Sequence, residues 1–357
     1  MRNHQNKLDE SKTVAARKGN EGFSMMELII SMVVFMVVMG AMYSVMNLSL
    51  LSRGVVNRQV PLSKSVRFGL NLIGRDTYNA GYGYPLRNTV VLPDNRISVL
   101  LGIPNDFDNT RDTVPPIIAG NNITLNTFNT AANIRTDQVT FLFKDNTFNV
   151  LAGTDLSQPL NINAATPGVG FSQIIPLSGS NASCRANDLF LITGGTGSTL
   201  GVATSLVGTD RVRFANGDLL GFNLAGSADS IDGITTPASM HRVNMITYFV
   251  TATGTLTRRE YVNVTPAASF VDEPLIYGVE DFQIQYVMED GTVSDNPSAG
   301  VDGIPGTADD VQTNLAAVRQ IRYTISVRST EVDQKGQPNR VSMSSTFSTR
   351  NLGYDAN

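Results

Sequence analysis

The sequence predicts an α+β chain: one long N-terminal helix, first transmembrane and then amphipathic, packed on a C-terminal head of antiparallel β-sheet. Three observations predict it. An uncharged apolar run fills residues 28 to 46, an apolar stripe at helical spacing follows it, and late segments alternate apolar and polar residues at period two. With 357 residues, 41% hydrophobic and 16% charged, the chain has the composition of a folded protein of one or two domains.

The helix begins in "EGFSMMELIISMVVFMVVMGAMYSVM", Glu21 to Met46. Residues 28 to 46 span roughly 29 Å as a helix, close to the roughly 30 Å of bilayer hydrocarbon. The 22 residues before Phe23 carry five basic and three acidic side chains, a net of +2 that favours keeping this end in the cytoplasm and translocating the rest. No small-residue signal cleavage site follows Met46 closely. Hydropathy and charge alone therefore leave an uncleaved signal anchor open, with Glu27 a tolerated charge near the interface.

The helix continues beyond the apolar run. Leu62, Val66, Leu70 and Ile73 form a stripe at spacings of four, four and three, with Arg58, Lys64, Arg67 and Arg75 among its charged residues. Gly54, Pro61 and Gly69 can bend it, and Gly81, Gly83 and Pro85 end it.

From Leu86 onward short apolar runs such as "DQVTFLF" and "NDLFLIT" read as strands between Gly, Asn, Pro and Asp clusters, while residues 94 to 133 show no usable pattern. "VNMITYFVTATGTLTRREYV" reads as a hairpin turning near Gly254, and "GVEDFQIQYVM" places Phe282, Ile284 and Tyr286 on one face. "VRQIRYTISVRS" alternates Ile321, Tyr323, Ile325 and Val327 with polar residues, and Val341, Met343 and Phe347 repeat the pattern less strictly. Together these predict an antiparallel sheet whose buried face covers the helix stripe.

Several chemistries are disfavoured. Cys184 is the sole cysteine, so there is no internal disulfide and no multi-thiolate zinc site; its polar loop leaves a free thiol or a bond to another chain open. "GGTGSTLG" lacks the lysine of a phosphate-binding loop and reads as a turn. His241, with no G-x-S-x-G elbow, reads as a satisfied or exposed histidine. Removing the leader's +2 from the chain's −4 leaves −6, which opposes nucleic-acid binding. The pairs Arg211 with Arg213 and Arg258 with Arg259 read as solvated strand faces.

Gly22, Phe23 and Glu27, directly before the apolar run, resemble the prepilin signature of type IV pilins and type II secretion pseudopilins. The resemblance implies cleavage by a prepilin peptidase after Gly22, N-methylation of the new N-terminus at Phe23, and an assembly role for Glu27, paired with an N-terminal amine of a neighbouring subunit. A 22-residue leader is longer than many in that group, and Asn20 and Glu21 make the junction less basic. The implied divisions are a cytoplasmic leader at 1–22, a transmembrane helix at 23–53, its amphipathic continuation at 54–79 and a globular head at 80–357.

The later segments "RDTYNAGY", "DQVTF", "TYFVTATGTLTRRE", "LIYGVEDFQIQYVMEDGT", "VRQIRYTISVRS" and "FSTRNL" resemble the PilW-like minor pilins, and the organisation is similar to that of J-type minor pseudopilins. The implied function is non-enzymatic: a minor pilin that primes type IV pilus assembly at the pilus tip. Its implied partners are other minor and major pilins and the inner-membrane assembly platform. The implied location is a single pass in the inner membrane with the head outside the cytoplasm, then the pilus and cell surface. A type II secretion pseudopilin and a pilus-tip adhesin or binding module are the alternatives.

No cofactor is required by this reading. One segment, "EDGTVSDNPSAGVDGIPGTADDV", places Asp290, Asp295, Asp302, Asp309 and Asp310 in a Gly-rich loop that suits calcium's demand for six to eight oxygens. It lacks the EF-hand order, and a solvated acidic hairpin loop is the competing reading.

Overall fold

The computed structural model of the protein describes residues 22–85, 90–104, 111–129, 134–146, 160–168, 171–176, 184–223, 231, 234, 238–263, 268–297, 315, 317–332 and 336–352. The chain divides into two compact units, Met1–Val56 and Asn57–Asn357. Helix α1, Met25–Asn79, contributes to both.

In the first unit every residue from 22 to 50 is exposed. A helix apolar on all sides is stable only in an apolar surrounding, and this one is long enough to cross a bilayer.

The second unit holds the rest of α1, a short helix α2 (Arg96–Leu101) and the strands. These are β1 (Val90–Leu92), β2 (Asp112–Thr113), β3 (Ile117–Leu125), β4 (Arg135–Lys144), β5 (Leu160–Gly168), β6 (Phe171–Pro176), β7 (Leu189–Gly194), β8 (Gly197–Val202), β9 (Ser205–Val207) and β10 (Arg211–Ala215). After them come β11 (Ala238–Val250), β12 (Thr255–Tyr261), β13 (Phe270–Tyr277), β14 (Val279–Met288), β15 (Val293–Ser294), β16 (Val318–Val332) and β17 (Pro338–Ser348).

Strand β11 organises the larger sheet because it is long enough to serve two sets of partners. Ala238–Arg242 pairs with β7, and Val243–Phe249 pairs with β4 while Ile246–Val250 pairs with β12. β14, β16 and β17 form an antiparallel sheet with the short β15 at its far edge. Among the described residues β1 and β8 pair in parallel, and the other pairings are antiparallel.

The helix stripe packs as expected. Val66, Leu70 and Ile73 are buried in one core with Ile246 and Tyr248 of β11, Phe282 and Ile284 of β14, and Tyr323 and Ile325 of β16. Burying such side chains is worth about 1.5–3 kcal/mol each. Gly69 and Gly74 serve close approach here. A Cβ on Gly74 would lie 2.3 Å from the Phe347 ring, and one on Gly69 2.5 Å from Ile276. Pro61 lies inside the helix without ending it. Beyond Asn79 the chain turns through Gly81 and Gly83, both at positive φ, and joins the edge of β4 through Gly81 N–H to Leu142 O at 3.0 Å.

β4 separates two cores. Val139, Phe141 and Phe143 face the helix core, and Leu142 faces a second core with Val243, Met245 and Tyr261. Burial on both faces explains why "DQVTFLF" is a continuous apolar run without alternation. Residues 94 to 133, unreadable in sequence, contain α2, β2 and β3.

Two buried carboxylates bind these layers together. Asp76, 1% exposed near the end of α1, accepts from Tyr248 Oη at 2.7 Å and Arg258 Nε at 3.2 Å, and Arg75 Nε lies 3.2 Å from its other oxygen. Arg258 also meets Glu260 at 3.0 Å, and Arg259 forms a two-pronged pair with Asp272. The Arg258–Arg259 pair is thus engaged with carboxylates, correcting the expectation of a solvated face. Burial works against the Arg258 charge, yet Asp76, Tyr248 and Glu260 raise its pKa. Removing Asp76 leaves a buried guanidinium without its main counter-charge, a change that costs about 3–5 kcal/mol. The Asp76→Ala protein is expected to unfold at much lower urea than wild type when followed by tyrosine emission, which no tryptophan obscures.

Asp137 on β4 joins β3 to β14. Its carboxylate accepts from Asn122 N–H at 2.8 Å and Ile284 N–H at 2.7 Å. Burial raises its pKa from 3.8 to about 6, against those two hydrogen bonds and with help from Asp281 and Asp295. The folded state therefore holds a proton that the unfolded chain releases first, so this group's contribution to stability is fully present below the unfolded pKa and is lost as pH rises through about 6. The difference in unfolding midpoint between wild type and the non-titrating Asp137→Asn variant is expected to drift against wild type between about pH 4 and pH 7 and then level off.

Candidate functional site

The N-terminal end of α1 is built by local chemistry. Ser24 stands at the N-cap, where its Oγ accepts from Met26 N–H at 3.3 Å. Glu27, three residues on, reaches back so that its Oε2 accepts from Ser24 N–H at 3.2 Å. This reciprocal pair is a capping box, and a carboxylate in the first turn also favours the positive end of the helix dipole. The S-x-x-E spacing is visible in the sequence and is the signal that an account of Glu27 by its charge alone overlooks.

The geometry leaves chemical capacity unused. Glu27 Oε2 caps its own chain, whereas Oε1 accepts no hydrogen bond among the described residues. Gly22 is exposed and Phe23 is 84% exposed. Loss of residues 1 to 22 would leave Ser24 N–H intact, and the capping box with it.

The family described as the prokaryotic N-terminal methylation motif matches residues 17–43, a span that includes Gly22, Phe23 and Glu27. The chain carries a prepilin-type N-terminus. The match supports a type IV pilin or pseudopilin subunit, processed by a prepilin peptidase and assembled with other pilins. Together with the apolar helix it fits anchoring in the inner membrane. Subunits of this kind are structural and typically non-enzymatic. No curated protein and no solved structure matches the chain.

The other sequence candidates fall elsewhere. Asp290 follows β14, where its Oδ1 accepts from Thr292 N–H at 2.9 Å and Thr292 Oγ1 at 2.7 Å, bonds that lower its pKa. Asp295 is exposed just after β15. Asp302, Asp309 and Asp310 lie outside the described residues. Among the described residues no group of three or more His, Cys, Asp or Glu side chains is arranged to hold a metal.

His241 is buried, not exposed, and only half satisfied: Nε2 donates to Gly83 O at 2.8 Å while Nδ1 has no partner among the described residues. Burial pulls its pKa down to about 4 against the Gly83 bond, so the ring is neutral at ordinary pH. "GGTGSTLG" forms the tight β7–β8 hairpin, with Gly194 opposite Gly197.

Cys184 departs from its polar sequence context. It is 3% exposed and sits in a third core with Phe190, Phe214 and Met240. Burial, then Asp188, pushes its thiol up to about 12 against the pull of Arg242. A thiol so protonated is a poor nucleophile, and its burial excludes bonding to another chain without unfolding. The folded protein is expected to resist maleimide labelling at Cys184 for hours at pH 7.5 and to label within minutes in denaturant; rapid labelling of the folded protein would contradict the buried position.

Proposed function

We propose that the protein is a PilW-like minor pilin that assembles with other minor pilins to prime type IV pilus assembly, at the pilus tip. The observation that supports this best is a single chain in which a methylation motif at 17–43 precedes an apolar helix carrying Glu27 in its first turn, followed by a large unit at Asn57–Asn357. Major pilins are usually much smaller, which favours a minor subunit. The methylation motif is shared with type II secretion pseudopilins, and the genes beside this one separate the two systems.

In this reading Phe23 becomes the N-terminus and presents a charged amine. A lone carboxylate in hydrocarbon costs about 2.5–3.5 kcal/mol on insertion scales. Glu27 is held at the mouth of the helix by Ser24, with Oε1 available for a neighbour's amine. When the helix moves from lipid into a bundle, no hydrophobic gain drives it, because lipid tails are already apolar. Packing and the satisfied charge decide association.

The protein recovered from sheared filaments is expected to begin at Phe23, with a mass showing one added methyl group. A chain beginning at Met1 would defeat the proposal. Two substitutions then divide Glu27's tasks. Glu27→Gln keeps a side chain able to close the capping box but removes the charge, whereas Glu27→Leu removes both. Both are expected to be cleaved and inserted normally and to be depleted from filaments by about tenfold, the effect of about 1.4 kcal/mol. Normal incorporation of Glu27→Gln would show that capping, not charge, is what Glu27 supplies.

A further inference from the structure

In the second unit a groove of about 320 Å³ lies between α1 and the ends of β13 and β16, lined by Asn57, Leu62, Tyr277, Arg328, Thr330 and Glu331 among others. That volume is at the small end of ligand sites, enough for a compact polar group and too little for a folded partner. Leu62 forms an apolar wall packed on the helix core. Around it stand an amide, a hydroxyl, a phenol, a cation and an anion.

The cation is firmly positioned. The Arg328 guanidinium lies 4.1 Å from the centre of the Phe128 ring, donates from Nη2 to Phe128 O at 2.7 Å and holds Nη1 3.5 Å from Glu280 Oε1. Arg340 Nε donates to the other oxygen of Glu280 at 2.8 Å. Two guanidiniums thus share one buried carboxylate, and the trio carries a net charge of +1. A fixed guanidinium with charge to spare suits a phosphate, whose oxygens accept its N–H groups in a planar fork. Glu331, three residues further along β16 and exposed, brings a carboxylate to the same groove. The lining therefore offers one group for an anion and another for an ammonium.

What the groove meets follows from where the chain is anchored. Asn57 comes six residues after Leu51, where the apolar run ends, and six residues reach at most about 22 Å even when fully extended. Insertion of the apolar helix in a bilayer therefore tethers the groove near the headgroup layer, and a short tether raises the effective concentration of a weak ligand to about millimolar. Tyr277, 68% exposed at the rim, is of a residue type enriched at membrane–water interfaces.

We propose that this groove binds the headgroup of a membrane phospholipid that carries a primary amine, with Arg328 taking the phosphate, Glu331 the ammonium and Tyr277 covering the headgroup from the rim. The proposal rests on insertion of α1 in the membrane and not on filament assembly. A chain that begins at Met1 would defeat the pilin reading and leave this one standing.

The test uses the full chain in detergent micelles, with phosphatidylethanolamine, phosphatidylcholine or phosphatidylglycerol added in equal amounts and bound lipid counted by native mass spectrometry. Wild type is expected to retain phosphatidylethanolamine about tenfold more than either other lipid. The quaternary ammonium of phosphatidylcholine has no N–H for Glu331, and phosphatidylglycerol has no cation at all. Glu331→Gln, a change at an exposed position, is expected to abolish the preference. Arg328→Gln is expected to lower retention of phosphatidylethanolamine about tenfold. Limited proteolysis checks that this variant is folded; where it is not, Arg328→Lys, which keeps the charge and loses the fork, is expected to show a smaller loss. Equal retention of the three lipids by wild type, or an unchanged preference in Glu331→Gln, overturns the proposal and leaves lipid on the apolar helix alone. Retention of glycerophosphoethanolamine, which lacks acyl chains, as tightly as the lipid would assign the groove to a soluble ligand and overturn it too.

Discussion

The carboxylate of Asp76 is the point at which helix and sheet become one structure. It sits on α1 and collects Tyr248 from β11 and Arg258 from β12, while Thr77 beside it meets Tyr323 of β16 at 2.7 Å. Apolar packing by Val66, Leu70 and Ile73 supplies most of the stabilisation, but it is non-directional and would tolerate rotation of the helix. The buried ionic and hydroxyl contacts do not tolerate it, because a turned helix would strand a charge. Close approach at Gly69 and Gly74 narrows the register further.

That register determines which face of α1 points outward. With one side committed to the sheets, Lys64, Arg67 and Phe68 are exposed together. The chain therefore divides its labour by position. Residues around Glu27 supply a charge and a helix start at an apolar segment, and the second unit offers a polar, charged exterior. Subunits that carry the methylation motif are structural and typically non-enzymatic.

Buried polar groups elsewhere follow the same logic of cohesion. Asp137 pins β14 to β4 and β3, and Arg242 pairs with both Asp145 and Asp188. His241 and Cys184, the residues a search for catalysis would choose first, lie buried in polar and apolar packing respectively, with protonation states that keep the histidine neutral and the thiol closed.

The membrane-length helix, its amphipathic continuation and the late strands were legible because each rests on nearest-neighbour periodicity: an uncharged run, a 3.6-residue stripe and strict alternation at Ile321 to Val327. The motif around Gly22 and Glu27 was legible for a similar reason, since its parts are contiguous. Residues 94 to 133 were not, because β3 and α2 owe their form to burial against β4 and to contacts distant in sequence. The same holds for Asp76, Arg258 and Cys184. A charge reads as solvated and a cysteine in a polar loop reads as exposed until partners nearly two hundred residues away in the case of Asp76 and Arg258, or an apolar core in the case of Cys184, are brought to them. Local pattern determined the elements; only the tertiary structure decided which polar side chains would be buried, since desolvation depends on what the folded chain places around them.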